Sequence, residues 1–217
     1  SLPALKALHA ESVDIIPQTQ AVRQDIRPLR LLLLNLMPKK RDTEIQFARL
    51  FGNTPLQVEM ILMTTASYTP QNTEPGYLRR FYRQLDDVRD DYFDALIITG
   101  APIETLPFED VKYWTELTEI MEWSREHCFR RLGVCWGAQA LLWHFHKVQK
   151  HELKSKLFGI FEHHLSDVSG RLMHGFTDRF PMPASRYTMN RSEDLMAAGL
   201  NVLAEGGECG AGMVRDP

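Results

Sequence analysis

At 217 residues, 44% of them hydrophobic, and with a formal net charge of -3, the chain can bury a sizeable core and carries no basic footprint for nucleic acid. Its three cysteines, Cys128, Cys135 and Cys209, are too few and too odd in number for a disulfide framework, which points to a reducing compartment. The most apolar stretch, Leu31 to Met37, is broken by Asn35 and falls short of a membrane span. Residues 1–6 carry no signal-peptide core, so a cytoplasmic protein without a membrane partner is expected.

Residues 4–9 predict a short helix with Leu5 and Leu8 on one side. Leu29 to Leu34 is a nearly continuous apolar run, the pattern of a strand buried on both faces of a parallel sheet. Met37-Pro38 stops it and the basic triplet Lys39-Lys40-Arg41 follows, read as a solvated loop. Thr43 with Gln46 forms a capping-box pattern, predicting a helix that Gly52-Asn53 closes. Residues 58–63 read as a second strand, 64–76 as a polar loop and 77–85 as helical. Asp94 to Thr99 is a third apolar strand, stopped by Gly100-Ala101-Pro102. Val111, Trp114, Leu117, Ile120 and Met121 recur at helical spacing over 108–125, and 129–135 reads as a fourth strand. Strand and helix in alternation predict an α/β domain over 1–217, a mostly parallel sheet flanked by helices on both faces. Beyond residue 150, the runs 157–161 and 171–173 around Ser169-Gly170 predict a hairpin. Residues 178–188 read as extended and Pro-interrupted, 192–198 as a short helix, and 200–204 and 211–214 as short strands.

Chemistry concentrates at Gly133-Val134-Cys135-Trp136-Gly137. An apolar step, Leu132 to Val134, leads into this stretch and the helix-forming run 138–143 leaves it, which is the nucleophile-elbow pattern written with sulfur. Glycines two residues either side of the nucleophile answer close chain approaches, and the start of the helix favours thiolate. A buried cysteine at a strand end is the alternative. The N–H of Trp136 is one natural oxyanion donor, and the turn at Gly100 and Ala101 offers a second. No spacing argument selects a general base among His163, His164 and His174. Metal ligation is not expected: His144 and His146 diverge on a helix, His163 and His164 diverge on a strand, and no Cys-x-x-Cys or His-Glu-x-x-His occurs. No glycine-rich nucleotide loop occurs either, and no bound cofactor is expected.

The chain resembles the homoserine O-acyltransferases of the transsuccinylase type, which share the class I glutamine-amidotransferase-like fold. The resemblance is carried by residues 24–29, Leu34-Asn35-Leu36-Met37-Pro38 with Thr43-Glu44, residues 52–58, and Ile98-Thr99-Gly100-Ala101-Pro102. It continues through Cys135-Trp136-Gly137-Ala138-Gln139-Ala140 and Phe158-Gly159-Ile160-Phe161-Glu162-His163, so it spans nearly the whole chain in order. It implies a ping-pong acyl transfer for methionine biosynthesis. Cys135 would take the acyl group from acetyl-CoA or succinyl-CoA as co-substrate and pass it to the hydroxyl of L-homoserine. It also implies that Lys156 and Ser185 contact the acceptor. Ser185 stands here between Ala184 and Arg186-Tyr187-Thr188, where the family has His-Ser-Arg-His-Thr, so the acceptor stays open between homoserine and serine. Glu104 falls at a donor switch, where glutamate accompanies acetyl transfer and glycine accompanies succinyl transfer.

Family members continue to a Gly-His-Pro-Glu-Tyr segment bearing a catalytic histidine and glutamate, whereas the 217 residues end at Asp216-Pro217 without it. A piece of a longer enzyme and a chain that has lost the segment are both expectations the sequence permits. An amidotransferase or hydrolase on the same fold, and a binding module without catalysis, stand as the other function classes. Small-molecule substrates are the expected partners, with a homodimer an open option for assembly.

Overall fold

Leu32, Leu33 and Leu34 are wholly excluded from solvent, and a strand that buries consecutive side chains must be covered on both faces. This strand, β1 (Leu29–Leu34), is the centre of a parallel sheet in the computed structural model, which describes residues 4–11, 13, 15–16, 27–68, 73–166 and 171–217. On one side β1 pairs with β2 (Val58–Met63), which pairs with β3 (Tyr82–Arg83); on the other it pairs with β4 (Phe93–Ile98), which pairs with β5 (Cys128–Gly133). The order β3-β2-β1-β4-β5 reverses direction between β1 and β4. Crevices at such a switch point, beyond the carboxyl ends of the strands, are where open α/β sheets bind ligands.

One face of the sheet packs Leu33, Met60, Leu62 and Ile97 against Leu8 of α1 (Leu5–Ala10), Ala48 of α2 (Lys40–Gly52) and Tyr77 of α3 (Pro75–Phe81). Helix α2 starts earlier than its capping box suggested. Lys39 is the N-cap without a side-chain cap, and the Thr43 hydroxyl turns back to the Lys39 carbonyl at 3.3 Å. The first turn is instead tied to the preceding residues, where the Asn35 amide donates to the Lys40 carbonyl at 3.1 Å. The helix expected over 77–85 is divided. Helix α3 begins on Pro75 and ends at Phe81, Tyr82 enters the sheet edge, and α4 (Leu85–Val88) restarts with a capping box between Gln84 and Asp87. The run expected over 108–125 is a 3-10 turn (Phe108–Asp110) followed by α5 (Trp114–His127), whose Leu117, Ile120 and Met121 are fully buried.

Chain contacts divide the molecule into two units, Ser1–Pro102 with Phe108–Ala138, and Ile103–Pro107 with Gln139–Pro217. After α6 (Trp136–His146), the second unit contains a four-stranded sheet of order β7-β6-β8-β9 in which every pairing is antiparallel. The expected 157–173 hairpin is not what forms. Strand β6 runs 15 residues (His151–Leu165), Arg171–Met173 is a 3-10 turn, and the partner of β6 is β7 (Arg179–Met189). The turn assigned to Ser169-Gly170 lies outside the described residues. Pro181 and Pro183 explain why β7 takes the edge, since a proline gives no N–H to a second neighbour. Helix α7 (Ser192–Ala197) follows, with Leu195 fully buried beside Val148 and Leu200, and β8 (Asn201–Gly206) and β9 (Gly210–Arg215) complete the sheet.

Candidate active site

Strand β5 ends at Gly133, the Val134 N–H bonds the Ile98 carbonyl at 2.9 Å, and the next residue is Cys135 with φ of +55°. A side-chain-bearing residue is uncommon in that left-handed region, and its strain marks the sharp turn of an elbow. Two glycines make the turn possible. A Cβ on Gly133 would stand 2.4 Å from the Ala138 Cα, and one on Gly137 would stand 2.4 Å from the Ile98 carbonyl oxygen and 2.6 Å from that of Thr99. Helix α6 starts immediately after Cys135; the Gly137 and Ala138 N–H groups close the turn on the Val134 and Cys135 carbonyls at 3.0 Å each, and the positive end of the helix dipole lies beside the nucleophile. Cys135 is exposed, whereas Cys128 and Cys209 are buried.

Opposite the elbow, at the end of β4, Gly100 brings bare backbone to the sulfur. A Cβ there would lie 3.2 Å from the Cys135 Cβ and 3.6 Å from its Sγ. Ala101 follows, 5% exposed. Trp136 is completely buried, its ring 5.9 Å from that of Phe108 and edge-on to Tyr113 at 6.3 Å, so the residue after the nucleophile is anchored by its side chain. The structure thus brings Cys135, Trp136, Gly100 and Ala101 together in the first unit.

The other sequence-assigned residues belong to the second unit. Lys156 and Ser185 share one exposed face of the β6–β7 pair. Ser185 stands opposite Phe158 in the register, and the Lys156 ammonium lies 5.5 Å from the ring centres of both Phe158 and Tyr187. Glu104 is half-buried, and its carbonyl accepts from the Lys150 ammonium at 2.6 Å, while the Leu106 carbonyl accepts from the same group at 2.5 Å. The sequence reading missed Lys150, since a lysine 46 positions away carries no local signal for a turn.

Of the three histidines weighed as a base, His163 is 2% exposed, with Nδ1 3.0 Å from the Phe161 carbonyl and Nε2 3.2 Å from the Cys209 sulfur. Both ring nitrogens are therefore engaged. Burial raises the Cys209 thiol above its ordinary value, only partly offset by the Arg186 charge, and burial pushes the Cys128 thiol up to about 12. Neither is poised to ionise. Among the described residues no cluster of three or more His, Cys, Asp or Glu is arranged to hold a metal, and no helix is long and apolar enough to cross a membrane.

The homoserine O-succinyltransferase family model matches residues 1–217. A homoserine O-acetyltransferase of Synechococcus elongatus is 51% identical over 216 residues, covering 99% of this chain and 72% of the relative. One of Novosphingobium aromaticivorans is 48% identical over 218 residues, covering 100% and 72%. Among solved structures, a glutamine amidotransferase of Methylobacillus flagellatus superposes with a TM-score of 0.54 at 12% identity, covering 88% of this chain and 66% of that one. Another from Thermotoga maritima gives 0.53 at 12% identity, covering 86% and 70%. At such identities the likeness is one of fold.

Proposed function

The chain belongs to the homoserine O-succinyltransferase family and is a homoserine O-acyltransferase, and we propose that it moves an acetyl group from acetyl-CoA to L-homoserine through an acyl-cysteine at Cys135. The observation that carries this reading is the exposed, strained elbow that presents Cys135 against the backbone of Gly100. The Cys135 sulfur attacks the thioester carbonyl, a new S–C bond forms, and CoA leaves as its thiolate. Exchange of one thioester for another is nearly balanced, so the acyl group keeps its reactivity for an oxygen acceptor. The negative oxygen of the tetrahedral intermediate is received by backbone N–H groups of Trp136 and of the Gly100-Ala101 turn. The homoserine hydroxyl then displaces sulfur, which releases the ester and restores the thiol. The hydroxyl proton ends on the departing Cys135 sulfur, and His163, whose two nitrogens are engaged, is not assigned its transfer.

Acetyl is preferred over succinyl because Glu104 stands at the donor switch. A second carboxylate beside it in a partly desolvated site costs on the order of several kcal/mol, and glutamate also takes up volume that the longer acyl chain needs. Lys156 and Ser185 are assigned to the acceptor, the ammonium pairing with the homoserine carboxylate. The product, an activated homoserine ester, fits a step of methionine biosynthesis. Intact-mass measurement after mixing with acetyl-CoA tests the reading. One acetyl adduct is expected, absent in Cys135→Ser; an adduct that persists in the variant overturns it.

A further inference from the structure

At the switch point of the parallel sheet, the ends of β1 and β4 are joined by a side chain that the acyl-transfer chemistry has not used. The Leu36 N–H donates to the Thr99 hydroxyl at 2.8 Å, and that hydroxyl donates to the Gly100 carbonyl at 3.1 Å. Thr99 is 1% exposed, so no water competes for either bond. A hydroxyl has one proton to give. With Leu36 occupying it as a donor, the proton is directed to Gly100, and the carbonyl of the Gly100-Ala101 peptide is pinned. A trans peptide sets its N–H opposite its carbonyl. Pinning the one therefore aims the other, which is the Ala101 N–H of the proposed oxyanion turn beside Cys135.

The Leu36 amide is itself held by a buried polar cluster. Asn35, fully excluded from solvent, accepts from the Met37 N–H at 3.1 Å through its side-chain oxygen. Its amide donates to the Lys40 carbonyl at 3.1 Å and to the Tyr82 hydroxyl at 2.9 Å. Tyr82 donates to Glu44 at 2.5 Å, Tyr77 donates to the other Glu44 oxygen at 2.6 Å, and the Lys40 ammonium bonds the Asn35 carbonyl. Lys40 and Glu44 are 3% and 1% exposed. Burying an ammonium and a carboxylate stabilises a fold little, if at all, and such groups find their use in fixing one conformation. Here the conformation fixed is the 35–37 turn, whose Leu36 N–H orders the Thr99 hydroxyl.

We propose that Thr99 is a positioning residue for catalysis: its hydroxyl, ordered by the Leu36 amide, holds the Gly100-Ala101 peptide in the orientation that receives the oxyanion. The proposal rests on the reading of Cys135 as an acyl-accepting nucleophile. It does not rest on CoA as the donor.

The test compares two reactions of the same thiol. With p-nitrophenyl acetate the Cys135 sulfur attacks the ester carbonyl, an S–C bond forms and nitrophenolate leaves, passing through an oxyanion. With iodoacetamide the sulfur displaces iodide without one. Thr99→Val, which keeps the shape and removes the hydroxyl, should slow acylation by about tenfold or more, because complete loss of an oxyanion donor costs about 10²–10³-fold and here the donor is misaimed rather than removed. Alkylation should stay at the wild-type rate, and Thr99→Ser should restore acylation. If the valine variant does not fold, Thr99→Ala against Thr99→Ser isolates the same hydroxyl. Equal slowing of both reactions, an unchanged acylation rate, or failure of the serine variant to restore it would each overturn the proposal. Acylation by p-nitrophenyl acetate that depends on Thr99, in a protein that acetyl-CoA leaves unmodified, would remove the donor reading and leave this one standing.

Discussion

The two units use their sheets in opposite ways. In the first, β1 and β4 bury consecutive side chains on both faces, and Cys135, Gly100 and Ala101 all sit at strand ends. In the second, β6 and β7 leave one face open, with Phe158 76% and Ile160 75% exposed, and Lys156 and Ser185 stand on that face. The nucleophile is therefore placed by backbone, through a positive φ and two glycines whose missing Cβ atoms other chain segments occupy. The residues assigned to the acceptor are placed as side chains on a surface. Backbone placement should break when an atom is added, and side-chain placement should tune when one is exchanged.

The largest effect expected from that contrast is on Gly137→Ala. Its new Cβ would meet two backbone oxygens at 2.4 and 2.6 Å, and neither can move without shifting the end of β4. A loss of about 1–3 kcal/mol is expected, or several degrees in Tm, together with slower alkylation of Cys135. Gly207→Ala in the second unit, where a Cβ would meet nothing within 4 Å, should stay within about 0.5 kcal/mol of wild type. Equal Tm values for the two variants would remove the contrast.

Exchanges in the second unit should alter selectivity while leaving the thiol intact. Glu104→Gly is expected to raise the rate at which succinyl-CoA acylates Cys135 by about tenfold or more, since about 1.4 kcal/mol of relieved repulsion is already a factor of ten. Lys156→Ala should leave acylation by acetyl-CoA unchanged and weaken the capture of the acyl group by homoserine by about tenfold, as expected for loss of a hydrogen bond to a charged group. Both are read from the rise and decay of the acyl adduct by mass. A wild type acylated faster by succinyl-CoA than by acetyl-CoA would sink the role given to Glu104.

The smallest effect concerns a thiol that the first unit keeps out of the chemistry. Burial holds the Cys128 thiol at about 12 against an ordinary value of 9.0. The unfolded chain releases that proton near pH 9 while the folded one keeps it. The folded state thus binds more protons between those values, and this group's contribution to stability, fully present below pH 9, is lost as pH rises toward 12. Thermal unfolding of Cys128→Ala should fall off less steeply over that range than wild type. Identical slopes would show that Cys128 ionises as readily folded as unfolded.

The strands of the first unit were legible because a parallel sheet covered on both faces demands unbroken apolar runs, as at 29–34 and 94–98. The hairpin expected over 157–173 was misplaced for the converse reason. An antiparallel strand with one open face mixes apolar and polar residues, and β6 found its partner in the Pro-interrupted segment already read as extended rather than in 171–173. The start of α2 was misread because a local capping signal competed with Asn35, whose bonds to the first turn only the folded chain supplies.

By itself the sequence determined that Cys135 stands on an elbow, because the glycine spacing, the apolar lead and the following helix are all local and each has a steric cause. It also offered the turn at Gly100-Ala101 as a second donor, since a continuous apolar run stops there, while the approach of that turn to Cys135 came from the fold. Only the tertiary structure decided how that turn is oriented. The Leu36 amide and the Thr99 hydroxyl lie 63 positions apart, and His163 and Cys209 lie 46 apart, so nothing in either local pattern announces the partner. A hydrogen bond is specified by where its two groups are carried, and here the pairing of β1 with β4 does the carrying.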